Sequence, residues 1–105
     1  MENYFWNIQE KSYSKKIFVL IIYDIINNKR RTKFAKMMCG YGFRVQKSAF
    51  EALLEEAQLS KLAKEIPYFI DPTEDSVRVY RMSGTGEVIL FGQNTKIEAE
   101  DVILI

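Results

Sequence analysis

Residues 17–34, IFVLIIYDIINNKRRTKF, decide the fold. Ile17 to Tyr23 are apolar without a break, and the run ends on Asp24. A run this short, rich in β-branched residues, reads as a strand and cannot span a membrane. Side chains along a strand alternate between its faces. Ile17, Val19, Ile21 and Tyr23 therefore point one way, and Phe18, Leu20, Ile22 and Asp24 the other. Both faces are apolar, so both need a cover. One layer of helices covers one face. The second needs more helices or another subunit, and 105 residues leave little room for more helices.

Downstream, Asn27 or Asn28 is placed to cap a helix over about 29–41. Phe34, Met37, Met38 and Tyr41 recur at helical spacing and form its inner stripe, with Lys29, Arg30, Lys33 and Lys36 mostly off it. Gly40 and Gly42 give the exit. Residues 43–54, FRVQKSAFEALL, read as a strand, bent or broken into two, with Arg44, Gln46, Ser48 and Phe50 on one face. A second helix is expected over about 55–66, with Leu59, Leu62, Ala63 and Ile66 inward and Pro67 at its end. DPTED is turn-like. SVRVYRM alternates, Val77 and Val79 against Arg78 and Tyr80. SGTG turns the chain into the short strand EVILF, GQNTK loops, and EDVILI is a terminal strand. Residues 1–16 form an N-terminal extension with a short aromatic knot, Tyr4-Phe5-Trp6.

This order describes one small α+β domain over residues 17–105, with two helices on one face of an antiparallel sheet. With the middle strand as a bent pair it becomes the ferredoxin-like β-α-β-β-α-β plan with added C-terminal strands.

Composition narrows the chemistry. There is no histidine, which removes Ser-His and Cys-His nucleophile pairs, imidazole ligands and imidazole acid–base catalysis. Chemistry must use carboxylates, cations, hydroxyls or a hard metal bound by oxygen. The single cysteine, Cys39, excludes an intramolecular disulfide framework and suits a reducing, cytoplasmic setting. The N-terminus shows no cleavable apolar core. The net charge of +1 hides an asymmetry: residues 1–50 are strongly basic and 51–105 acidic. A basic half can track an anionic polymer.

Two features stand out as candidate sites. Asp24 is either a turn-former or a metal carboxylate. Mg²⁺ prefers oxygen ligands and keeps several waters. One aspartate per chain makes a poor site, but a two-fold axis near the strand end supplies two. Lys29, Arg30, Arg31, Lys33 and Lys36 are either a solvated helix face or contacts to phosphates, which give affinity without sequence specificity. Arg44 and Lys47 add cations on the middle strand. The SGTG glycines lack the context of a nucleotide loop, and Cys39 reads as a small buried hydrophobe.

FVLIIYDI, then YGFRVQKSAFE, AQLSKL and DSVRVYRM together resemble the CRISPR-associated endoribonuclease family, the small spacer-acquisition proteins. The resemblance covers about residues 17–105. It implies a ferredoxin-like fold and a symmetric homodimer in which the C-terminal segment, 88–105 here, adds to the partner's sheet. It implies that two copies of Asp24 face each other as a Mg²⁺ site. Arg31 and Lys33 match the family's basic positions at the start of the first helix, Arg44 the arginine of its second strand, and Phe50 its supporting aromatic. Lys33 stands where some members have arginine, and Lys47 where an aromatic is common. The implied role is a nucleic-acid-binding homodimer that bridges dimers of the CRISPR integrase and helps hold prespacer double-stranded DNA. The alternative is a Mg²⁺-dependent endonuclease cutting RNA or double-stranded DNA, and a weaker one a related ribonuclease toxin.

Overall fold

The structure, a computed structural model, describes residues 16–82 and 86–93. Its elements run β1 Lys16–Asp24, α1 Asn28–Met38, β2 Phe43–Gln46, β3 Ala49–Glu55, α2 Glu56–Glu65, a 3-10 turn Ile66–Phe69, β4 Ser76–Arg81 and β5 Val88–Gly92. The strands form one antiparallel sheet in the order β2-β3-β1-β4-β5. This is the expected ferredoxin-like plan with one strand added beside β4.

β1, the longest strand at nine residues and apolar on both faces, takes the centre. It pairs with β3 from Lys16↔Glu55 to Ile22↔Ala49, and with β4 from Val19↔Arg81 to Asp24↔Ser76. Ile17, Val19, Ile21 and Tyr23 are buried under the helices, as the alternation required. Phe50, Ala52 and Leu54 join them from β3, and Val77 and Val79 from β4. The helices contribute Phe34 and Met38 from α1 and Leu59 and Leu62 from α2, with Ile66 from the 3-10 turn. Burying each large apolar side chain contributes about 1.5–3 kcal/mol, so this single layer is the main source of cohesion.

Asn27 caps α1, its Oδ1 accepting the Arg30 N–H at 2.9 Å. The helix ends at Met38, three residues short of the expected limit. There the N–H groups of Tyr41 and Gly42 both turn back to the Met38 carbonyl. Gly42 then passes hard against β3: a Cβ on it would lie 2.1 Å from the Glu51 carbonyl oxygen. Met37 and Tyr41, expected on the inner stripe, are only half-buried against the core.

The middle strand is broken, as the sequence allowed. The register of β2 on β3 shifts between Arg44, opposite Phe50, and Gln46, opposite Ala49. Such a bulge inserts one residue and reverses the facing of everything beyond it. The expectation that Arg44, Gln46, Ser48 and Phe50 share a face is therefore corrected: Gln46 lies opposite the open-face Ala49. At the start of α2, the Gln58 Oε1 accepts the Glu55 N–H at 2.8 Å. Past Glu65, Pro67 offers no N–H to continue an α-helix, and the chain tightens into the 3-10 turn.

β5 pairs with β4 of its own chain, from Ser76↔Gly92 to Tyr80↔Val88. Gly92 has φ +74°, and a Cβ there would meet the Asp75 carbonyl oxygen at 2.1 Å, so glycine is required twice over. Residues 94–105, including EDVILI, and the N-terminal extension 1–15 lie outside the described residues.

The helices cover one face of the sheet. On the other, Phe18, Ile22, Phe43, Val45, Leu53 and Leu90 are exposed, by 39% to 65%. A contiguous apolar sheet face of this kind marks an interaction surface.

Candidate metal and nucleic-acid site

Asp24 is the last residue of β1 and, by alternation, lies on the open face with Phe18, Leu20 and Ile22. It is exposed, and among the described residues its carboxylate takes part in no hydrogen bond or ion pair. Ile25, the next residue, is 2% exposed and anchors the turn in the core.

The backbone beyond Asp24 is held from two sides. The Ile26 N–H donates to Asp75 Oδ1 at 3.0 Å. Arg31 lies along the turn, its Nε donating to the Ile25 carbonyl at 3.0 Å and its Nη2 to the Ile26 carbonyl at 3.1 Å. Its Nη1 donates to Asn28 Oδ1 at 2.8 Å. Arg31, expected to contact phosphate, thus braces the backbone next to Asp24.

Asp75 went unnoticed in the sequence, inside a segment read only as a turn. It is the one buried charged residue among those described, 0% exposed. Besides Ile26, it accepts from Arg30 Nε at 2.7 Å and Arg30 Nη2 at 3.1 Å, and from the Asp71 N–H at 2.8 Å. Burial disfavours its charge, but the Arg30 guanidinium and the two backbone N–H groups outweigh that and hold the carboxyl below the usual carboxylate range. A signal was present: Asp75 has the parity of Val77 and Val79, so extending that alternation back one step points a carboxylate at the helix layer. Arg30 also reaches Glu74 Oε1 at 3.2 Å. Its guanidinium is turned onto two carboxylates and away from the role of an open phosphate contact.

Across the sheet, Arg44 Nη2 donates to the Lys47 carbonyl at 2.7 Å and to the Tyr23 hydroxyl at 3.2 Å. The Tyr23 hydroxyl donates to the same carbonyl at 3.1 Å, and the Tyr23 N–H to the Ser48 carbonyl at 3.0 Å. Arg44 and Tyr23 therefore clasp the β2–β3 turn beside the end of β1. Phe50 is fully buried, its ring 6.0 Å from that of Tyr23, so its support is packing from within the core.

Of the expected cations, Lys29, Lys33, Lys36 and Lys47 are exposed, and none forms an ion pair among the described residues. Lys29, Lys33 and Lys36 project from α1. Cys39, read as buried, is exposed just past the helix end. Among the described residues no three carboxylates or thiols cluster to hold a metal. Asp75 already accepts four hydrogen bonds, so at the end of β1 the carboxylate left open is that of Asp24. That donor fits a hard cation such as Mg²⁺ only in part, and a second copy of the chain would complete the pair.

The family model described as CRISPR associated protein Cas2 matches residues 17–87. The chain belongs to the Cas2 family. A Mycobacterium tuberculosis protein named CRISPR-associated endoribonuclease Cas2 is 43% identical over 88 residues, spanning 84% of this chain and 77% of its own. A CRISPR-associated endonuclease Cas2 of Halalkalibacterium halodurans is 36% identical over 95 residues, spanning 84% of this chain and 99% of its own. The crystal structure of Streptococcus pyogenes Cas2 at pH 6.5 superposes with a TM-score of 0.59 at 32% identity, covering 63% of this chain and 86% of that one. A hypothetical protein from Thermus thermophilus superposes at 0.63 with 36% identity, covering 70% and 90%. The Cas2 match takes in β1 to β4 with Asp24, Arg31, Arg44 and Asp75. Among the described residues no helix is long and apolar enough to cross a membrane.

Proposed function

We propose that this chain acts in CRISPR spacer acquisition as a nucleic-acid-binding homodimer that bridges dimers of the CRISPR integrase and helps hold prespacer double-stranded DNA. The observation that carries this is the division of labour between the two layers. The open sheet face is apolar and fits a second copy, whereas α1 holds Lys29, Lys33 and Lys36 exposed and unpaired among the described residues. A symmetric pairing through the sheets doubles that cationic set on the outside, where duplex phosphates can meet it. Integration assays with the purified integrase partner test the role: the chain should be required, and normal integration in its absence would sink it.

A second reading, a Mg²⁺-dependent endonuclease on RNA or double-stranded DNA, is favoured by the open carboxylate of Asp24. Relatives of this chain carry endoribonuclease and endonuclease names. Asp24 from each of two copies would hold the ion, which when bound supplies Lewis acidity and a more acidic water. With Arg31 and Arg44 turned onto backbone carbonyls, Lys33 and Lys47 are the cations left to steady a phosphodiester. Asp24→Ala should abolish cleavage by homogeneous protein; cleavage that persists unchanged would place the activity elsewhere.

A further inference from the structure

We propose that Asp75 is a positioning residue for Asp24: through Ile26 and Arg30 it fixes where the Asp24 carboxylate stands on the open sheet face. The inference deepens the Mg²⁺ reading of Asp24 and rests on it.

Asp24 has no side-chain partner among the described residues to orient it, so its place is set by backbone alone. On its N-terminal side the backbone is fixed by the sheet, where Asp24 pairs with Ser76 as the last rung against β4. On its C-terminal side there is no sheet. The chain must leave β1, turn through Ile25 to Asn27 and enter α1, and free backbone there would let the end of β1 fray. Asp75 closes that gap. It directly precedes Ser76, with its side chain on the helix side and Ser76 on the open side, so it lies behind the rung that carries Asp24. From there one carboxylate takes the Ile26 N–H at 3.0 Å and both prongs of Arg30, the third residue of α1, at 2.7 and 3.1 Å. Its fourth bond, from the Asp71 N–H at 2.8 Å, ties the same point to the loop before β4. Its own carbonyl accepts the Gln93 N–H at 2.9 Å, past the end of β5. A single buried side chain thus locks the turn after Asp24, the first turn of α1 and the loop leading into β4.

The chemistry explains why a carboxylate is needed. All four groups facing it are donors, and an ionised carboxylate is acceptor-only. An amide of the same shape must aim its NH₂ at one pair of those donors, so Asp75→Asn preserves volume while breaking the lock on one side. A two-metal-ligand site shared between copies is sensitive to this, because displacement of Asp24 is repeated by the symmetry and changes the carboxylate separation from both ends. Groups hydrogen-bonded directly to a metal ligand set affinity by about 10–100-fold; Asp75 acts one step further back, through the backbone, so the lower end of that range applies.

The test titrates Mn²⁺, as a spectroscopic stand-in for Mg²⁺, into the purified full chain and follows backbone amide exchange. Asp75→Asn and the milder Arg30→Lys, which keeps charge but loses the two-pronged grip, should retain circular dichroism and oligomeric mass. Both should weaken Mn²⁺ binding by about tenfold or more. In Asp75→Asn the amide that the new NH₂ faces, Ile26 or Asp71, should exchange faster while those of Val19 and Ile21 stay protected. Unchanged Mn²⁺ affinity in the folded variants, whatever their melting temperature, reduces Asp75 to a stability residue and overturns the proposal. So do Ile26 and Asp71 amides that both exchange no faster. Should Asp75→Asn not fold, Arg30→Lys decides the matter alone. An Asp24→Ala chain that binds Mn²⁺ as tightly as the parent is the distinct result that removes the metal reading, and this inference with it.

Discussion

Replacing Asp75 by alanine should be among the most damaging single changes in the domain, and its effect should shrink in acid. The carboxylate is fully buried and accepts four hydrogen bonds. Truncation leaves the Ile26 and Asp71 N–H groups without their acceptor, at about 1–3 kcal/mol each when water cannot replace it. Both hydrogen bonds are partly buried, so the lower part of that range applies, and loss of the charge partner adds to it. A destabilisation of about 2–4 kcal/mol follows, large beside a total stability of order 5–15 kcal/mol. The melting temperature should fall by roughly 10–20 °C. The pH dependence carries the sign. The folded-state carboxyl of Asp75 lies below its ordinary value. Its stabilisation is therefore fully present above the unfolded value, near 4, and is lost as pH falls through the lower folded value. Urea melts of parent and variant at fixed protein concentration, from pH 7 down to pH 2, should show a constant gap above about pH 4 that narrows below it. A gap under about 1 kcal/mol at pH 7, or one that persists undiminished at pH 2, would refute the assignment of Asp75 as an ionised anchor.

Other changes separate the layers of the molecule. Ile22→Lys together with Phe18→Lys places two charges on the open sheet face. Under the proposed pairing through the sheets, sedimentation should show a dimer for the parent and a monomer for the variant, with circular dichroism intact. Converting Lys29, Lys33 and Lys36 to glutamine should weaken duplex binding and flatten its dependence on log salt by about 0.9 per lost phosphate contact, across all sequences alike; the same conversion at Arg30 should have little effect on that slope. Gly42→Ala forces a Cβ to within 2.1 Å of the Glu51 carbonyl, so the β2–β3 pairing must shift. Chemical melts should register a loss of about 1–3 kcal/mol, as overpacking does.

Much of this architecture was legible because it rests on periodicity. The double apolar character of β1 required a cover on each side, and the described residues supply one and leave the other open. The two helices and the outward-facing Asp24 follow from the same periodicities, whereas alternation left open whether residues 43–54 are one strand or two. What the sequence could not convey is where a cation points. Lys29, Arg30, Arg31, Lys33 and Lys36 form one basic cluster in the sequence, yet two of the five are held by protein groups. Arg30 meets carboxylates more than forty positions away, and Arg31 meets carbonyls just before its own helix; the guanidinium's five donors suit both tasks, whereas the lysines stay in solvent. Asp75 was hidden by its neighbours, because DPTED has the composition of a turn and its last residue is already the first inward-facing position of a strand. Gln46 was misplaced because a bulge leaves no mark in hydrophobic alternation.

The position of β1 also bears on how the chain is made. The central strand leaves the ribosome before both strands that flank it, so Ile21 must wait for Phe50 on one edge and Val79 on the other. Until β4 has been synthesised, a segment apolar on both sides has only half its partners, and such exposed surface during synthesis is prone to misassociation. Growing the polypeptide at lower temperature, or slowing its translation between residues 55 and 75, should therefore change the yield of soluble protein more than any change to its final stability.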